Sequence, residues 1–346
     1  MTEYPAYHAL ALQTRCDAVN SLDVPGARER MLQTIARIDQ QVGAAKAFIG
    51  SDTRLVVLPE YFLSSFPLGE SIVEWSTKAA LDEDGPEYDA LAAVAERHGV
   101  FLAGNAYEND RHFPDLYFQA SFVFDPAGQR VLRYRRLISL YAPTPHDVLD
   151  RYLDVYGADA LFPVADTEIG RLAAVASEEI LYPEISRALA LRGAEILVHS
   201  TSEVGSPDPT PKDIAKKARA HENNVYVVSA NSAGITGIGI PAQSTDGMSK
   251  VVDYRGHVLA NAGFGETMVA AAELDIGALR RWRRRPGMSN MLSRQRTELL
   301  ALAVDGVSVY PPNSLLDGTA TVTPERSHFA ATQRATIESL TKKGLI

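Results

Sequence analysis

The hydrophobic positions of this chain follow two alternating rhythms. Short apolar runs rich in β-branched residues recur at residues 7–13, 54–58, 100–104, 171–176, 195–199 and 225–230, with Ala9-Leu10-Ala11-Leu12 the most continuous. Runs of this length, apolar on both faces, predict strands buried between layers. Between them, apolar residues repeat every three or four positions. Met31, Ile35, Ile38 and Val42 mark one face of a helix over residues 27–44. Further helices are expected at residues 88–98 and 183–192, stopped by Gly99 and Gly193, and at residues 211–224. Two hairpins complete the pattern. Residues 120–124 and 131–135 flank the turn Asp125-Pro126-Ala127-Gly128, and residues 250–254 and 258–261 flank Arg255-Gly256. The order strand, helix, strand, hairpin occurs twice, which predicts layered α/β with two sheets face to face and helices outside.

Beyond about residue 286 the periodicity fades. Pro311-Pro312-Asn313 and residues 318–324 read as extended chain, and residues 327–343 as a last helix. Residues 1–285 are therefore expected to form one domain, and residues 286–346 an extension that packs on a partner subunit.

Composition narrows the function. The chain has 346 residues, 46% of them hydrophobic, and a formal net charge of −9. That balance argues against nucleic acid and membrane surfaces as partners. Cys16 is the only cysteine, so there is no disulfide framework and no cysteine-based zinc site. Residues 1–7 include Glu3 and Pro5 and lack the apolar core of a signal peptide. No apolar run is long enough to span a bilayer, and a cytoplasmic protein is expected. The basic run at residues 280–285 is expected to face the carboxylates of a partner subunit.

Three segments carry candidate chemistry. Val56-Val57-Leu58-Pro59-Glu60 puts a carboxylate at a strand end, Leu132-Arg133-Tyr134-Arg135-Arg136 supplies a cation, and Ser177-Glu178-Glu179 opens a turn before Tyr182-Pro183-Glu184. In the same order stand Arg192-Gly193-Ala194-Glu195, Arg219-Ala220-His221-Glu222-Asn223, Asn231 and Asp253-Tyr254-Arg255-Gly256. Together, across residues 7–275, these motifs resemble the nitrilase superfamily of carbon–nitrogen hydrolases.

The resemblance implies a four-layer α-β-β-α sandwich of two mixed sheets. It implies hydrolysis of non-peptide C–N bonds in small linear amides or carbamoyl amines, without cofactor or metal, by a homodimer or larger homo-oligomer. It places the catalytic positions at Glu60, Arg136 and Ser177. Only Glu60 matches the family unchanged. Ser177 stands where the family has cysteine, Arg136 where it has lysine, and Thr144 where some members carry a second glutamate.

The departures matter chemically. A thiol with a pKa of about 8.5 is within reach of a weak base. A serine hydroxyl needs a matched base, usually histidine or neutral lysine. Arg136 can hold an oxyanion or a carboxylate but stays protonated. His199, ending the strand after the residue 183–192 helix, is the expected base. Tyr61, Thr144, Glu178 and His199 are expected to contact substrate. Of the adjacent carboxylates, one is expected to pair with Arg135 or Arg187 and the other to face solvent. Residues 143–147 read as a rigid loop at the pocket entrance, with His146, Asp147 and Asp150 in a helix cap rather than a metal site. Ser177 remains open to three readings: a nucleophile, a vacated position, or a deliberate Cys→Ser replacement. The functional alternative is an inactive relative that binds a small molecule or protein.

Overall fold

The computed structural model describes residues 5–346; residues 1–4, part of the segment read for a signal peptide, lie outside the described residues. The strands of its two large sheets are β1 (Tyr7–Ala11), β2 (Thr53–Val57), β3 (Phe101–Asn109), β4 (Tyr117–Phe124), β5 (Arg130–Arg135), β6 (Ala165–Thr167), β7 (Gly170–Ala176), β8 (Ile196–Ser200), β9 (Tyr226–Ala230), β10 (Lys250–Val252), β11 (Val258–Asn261) and β12 (Ala271–Leu274). The first sheet is six-stranded in the order β12-β1-β2-β3-β4-β5, and the second is six-stranded in the order β11-β10-β9-β8-β7-β6. Each has a parallel centre with antiparallel edges: β1-β2-β3 in one, β7-β8-β9 in the other. Both sheets are thus mixed, as expected.

Side-chain alternation explains the layers. In the first sheet Tyr7, Ala9, Leu55, Val57, Phe101, Ala103, Val123 and Leu132 point into the core shared with the second sheet. Their neighbours Leu10, Val56, Leu58, Leu102 and Phe122 point the other way. There they meet α1 (Val24–Ile49), α2 (Ile72–Ala79) and α3 (Pro86–His98) through Ile35, Ile38, Trp75 and Leu91. Strand β7 is buried from Leu172 to Ala176 because α5 (Pro183–Leu191) and α6 (Pro211–Asn223) cover the second sheet. With both faces covered, an unbroken apolar run is the pattern such a strand requires.

Helix α1 starts ahead of its apolar stripe because Asp23 caps it, accepting from Gly26 N at 2.9 Å. Four helices were not anticipated, α2, α4 (Leu149–Tyr156), α7 (Ile276–Arg283) and α8 (Thr297–Val304), each eight residues long and too short to show a period. Ser71 and Glu74 nonetheless form a capping box at the start of α2. Strands β3 and β4 run longer than expected because Asn105, Glu108 and Gln119 interrupt their apolar pattern while remaining buried.

The residues after 286 fold back in part onto earlier segments of the chain. After α7 (Ile276–Arg283) come α8 (Thr297–Val304), a short hairpin, and α9 (Arg326–Lys342). Asn313 N donates to His146 O at 3.0 Å and Leu315 N to Asp147 O at 2.9 Å, while the Leu315 and Phe329 side chains are buried. In the basic run, Arg280 pairs with Glu195 of the same chain at 2.6 Å. Among the described residues no helix is long and apolar enough to cross a membrane.

Leu55 sits wholly buried between the sheets. Leu55→Ala should lower the unfolding free energy by about 2–5 kcal/mol, read as a lower denaturant midpoint with an unchanged slope. An unchanged midpoint would mean the inter-sheet contact contributes little.

Candidate active site

Strand β7 ends at Ala176, and the chain enters a tight helical turn, Ser177–Leu181. Ser177 opens it with φ of 47°, a left-handed conformation that costs a non-glycine residue on the order of 1–3 kcal/mol. Glu179 holds the turn. Its buried carboxylate accepts from Ala176 N at 3.0 Å, Leu137 N at 2.7 Å, Ile138 N at 3.1 Å and the Tyr134 hydroxyl at 2.8 Å. Burial raises its pKa above the usual carboxylate value, although Arg136 and these donors pull it down. Because Tyr134 lies in β5 and Leu137 and Ile138 directly follow it, the carboxylate pins the serine turn to the opposite sheet.

The two carboxylates beside Ser177 therefore differ from expectation. Neither meets Arg135 or Arg187: Arg135 pairs with Glu108 at 2.9 Å and with Asp110, and Glu178 pairs with Arg136. A hydrophobic pattern carries no information about which carboxylate turns inward.

Glu60 follows β2 where the parallel strands of both sheets end. Its backbone N donates to Thr201 O at 3.3 Å, just past β8, and Ser200 Oγ donates to Leu58 O at 2.7 Å. Its carboxylate accepts from Gln119 Nε2 at 2.7 Å, Arg136 Nη1 at 3.2 Å and Ser202 N at 3.1 Å. Arg136 in turn donates from Nε to Ile138 O at 2.6 Å, from Nη1 to Gln119 Oε1 at 2.6 Å, and from Nη2 to Glu178. Four of the five guanidinium N–H donors are thus engaged. Burial opposes its charge, but the carboxylates of Glu60 and Glu178 outweigh that and raise its pKa above the ordinary value.

Ser177 Oγ has a partner that the sequence pattern did not suggest. Lys212 Nζ donates to it at 2.9 Å and to Thr201 Oγ1 at 3.1 Å. Lys212 arrives on the first turn of α6, whose cap is Thr210. The available signal was its place: a cation at a helix N-terminus opposes the helix dipole.

His199, by contrast, is not positioned as a base for Ser177. Nε2 donates to the Ser177 carbonyl at 2.9 Å and Nδ1 accepts from Ser229 Oγ at 2.8 Å. Burial, helped by the neighbouring Lys216, lowers its pKa well below the ordinary value. The fully buried ring braces the turn and does not reach the cavity over Ser177.

A cavity of about 740 Å³ opens over these groups. Glu60, Tyr61, Arg136, Ser177, Glu178 and Lys212 line it; Thr144 and His199 do not. Thr144 is buried and bonds Asp147 Oδ2 at 2.8 Å, capping the turn Pro145–Val148. Aromatic rings form much of the remaining wall: Tyr61 stacks on Tyr107 with centroids 6.3 Å apart, and Tyr117, Tyr141 and Phe329 contribute too. Phe329 and Arg326 come from the C-terminal segment, and Arg326 lies 4.3 Å over the Tyr141 ring. Among the described residues no group of three or more His, Cys, Asp or Glu side chains is placed to hold a metal ion.

The carbon-nitrogen hydrolase profile matches residues 13–284. This chain belongs to the carbon-nitrogen hydrolase family. Among its relatives is a hydrolase encoded in the pqqF 5′ region of Pseudomonas protegens, 30% identical over 213 residues, 62% of this chain and 66% of that protein. Another is the deaminated glutathione amidase of Yersinia enterocolitica, 28% identical over 234 residues, 67% of this chain and 78% of that protein. A solved amidase from Nesterenkonia sp. AN1 superimposes with a TM-score of 0.56 at 19% identity, covering 87% of this chain and 97% of that one. That amidase carries an active-site cysteine to which the acetamide moiety of fluoroacetamide adds. This carbon-nitrogen hydrolase-family chain has one cysteine, Cys16. Cys16 lies outside the cavity with Sγ 3.5 Å from Tyr61 O, and burial pushes its thiol up to about 12.

Glu179→Ala would leave three backbone N–H groups and a tyrosine hydroxyl without their buried acceptor. The expected loss is about 3 kcal/mol or more, measured by equilibrium unfolding. A loss within a few tenths of a kcal/mol would show that the turn is held by other contacts.

Proposed function

We propose that this protein hydrolyses the C–N bond of small linear amides or carbamoyl amines, with Ser177 as the nucleophile. The observation that carries the reading is the Ser177 hydroxyl itself. A left-handed residue at a strand end presents it to an open cavity, 2.9 Å from a lysine Nζ. Strand-to-helix turns with a strained first residue are how many hydrolases expose a nucleophile. The amidase named among the relatives supports the substrate class.

In this reading Glu60 and Arg136 form the charged wall against which the amide lies. Arg136 stays protonated and contributes charge and position, not proton transfer. Tyr61 and Glu178 contact the substrate, the first through its ring and the second through the edge of its ion pair with Arg136. The aromatic wall suits a short apolar acyl chain.

A second reading, binding without turnover, draws on the Arg136 network, since a guanidinium with four donors engaged has little left for a developing oxyanion. The two are separated by ammonia release from acetamide, propionamide and short carbamoyl amines. Turnover is expected in the natural protein and loss to background in Ser177→Ala. Equal turnover in both proteins would overturn the serine mechanism. Amide-dependent thermal stabilisation without ammonia, together with activity gained in a Ser177→Cys, Arg136→Lys double variant, would establish the binding role instead.

A further inference from the structure

We propose that Lys212 is the proton acceptor and donor for Ser177, a role this chain places on α6 rather than on the β4–β5 hairpin; the inference rests on Ser177 being the nucleophile. It follows from what lies within reach. Among the described residues Lys212 Nζ is the one side-chain hydrogen-bond partner of Ser177 Oγ. His199 spends both ring nitrogens on the Ser177 carbonyl and the Ser229 hydroxyl. Glu60 is occupied by Gln119, Arg136 and Ser202 N. Arg136 cannot accept a proton.

The surroundings of Lys212 suit the task. Lys216 is paired with Glu203, and Lys217 and Lys250 with Asp213. Lys212 has no such carboxylate among the described residues, and its two partners are the hydroxyls of Ser177 and Thr201. It therefore breaks no ion pair when it gives up a proton. The Thr201 contact fixes Nζ beside the strand end, so the amine needs no search to meet Oγ. A lysine on the first turn of a helix is electrostatically misplaced, and a hydrogen bond to the reacting atom gives it a reason to be there.

The proposed step requires Lys212 as the free amine. Ser177 Oγ–H passes its proton to Nζ while Oγ bonds to the amide carbonyl carbon, and the π pair moves onto the carbonyl oxygen. The new ammonium sits beside that oxyanion. When the carbonyl re-forms and the C–N bond breaks, Nζ returns the proton to the departing nitrogen. Ammonia or an amine leaves, with an ester on Ser177 and a free amine at Lys212. Water then attacks the ester, its proton passing through Nζ to Oγ as the C–O bond breaks. A carboxylic acid leaves and Ser177 is restored.

The test is acylation of the full chain by p-nitrophenyl acetate, followed as p-nitrophenolate release and by peptide mass mapping of the acetyl group. The expected result is acetyl on Ser177, formed at least about 100-fold more slowly in Lys212→Met. Lys212→Arg should be as slow, because guanidinium keeps the charge but cannot take the proton. Added methylamine should restore part of the rate in Lys212→Ala. Melting temperatures close to that of the natural protein establish that the variants fold. Acetylation of Ser177 at the natural rate in Lys212→Arg or Lys212→Met would overturn the role of Lys212 and leave the serine nucleophile standing. Absence of acetyl from Ser177 in the natural protein would overturn both.

Discussion

Two apolar sheets packed face to face can slide unless something polar sets their offset, and at the end of this fold where the candidate site lies that something is the Glu179 carboxylate. It collects donors from β5 and the residues directly after it in one sheet and from the end of β7 in the other. A buried carboxylate is costly when its lone pairs are unfilled. Here it is stable only if Tyr134, Leu137, Ile138 and Ala176 all arrive together. The left-handed Ser177, the path of residues 136–138 and the placement of Arg136 all depend on that coincidence.

Around this tie the charges divide their work. Arg136 bridges Glu60, Gln119 and Glu178, which makes it a strut across the floor of the cavity. Lys212 stands on the other side of Ser177 with hydroxyls for company. In the proposed mechanism the static cation and the proton-handling cation are different residues on different elements. Arginine suits the first because its fork bonds several acceptors at once, and lysine suits the second because only it can exist as a free base. His199 belongs to the support: its ring braces the serine carbonyl from below.

Much of the scaffold was legible in the sequence. The stripe Met31, Ile35, Ile38, Val42 became the buried face of α1, and the apolar runs at residues 171–176 and 225–230 became central strands β7 and β9. What failed to show was short or polar. Helices α2 and α4 each span about two turns, fewer than a period needs. Gln119 lies in β4 as a buried polar residue and joins Glu60 to Arg136, a contact no periodicity encodes. The site motifs led to Glu60, Arg136 and Ser177, and these line one cavity with Tyr61 and Glu178. Thr144 and His199 pointed elsewhere because their positions along the chain say nothing of side-chain direction.

By itself the sequence determined the layers, the alternation of strands and helices along the chain, and the presence of a single cysteine. Those properties are local: they follow from periodicity, turn chemistry and residue identity. Tertiary structure decided the partnerships. It brought Lys212 to Ser177 across 35 positions of chain, turned Glu179 rather than Glu178 inward, and folded the C-terminal segment over its own cavity so that Phe329 and Arg326 complete the wall. Such contacts depend on how two sheets are offset and where their ends converge, and that offset exists only once the whole core has packed.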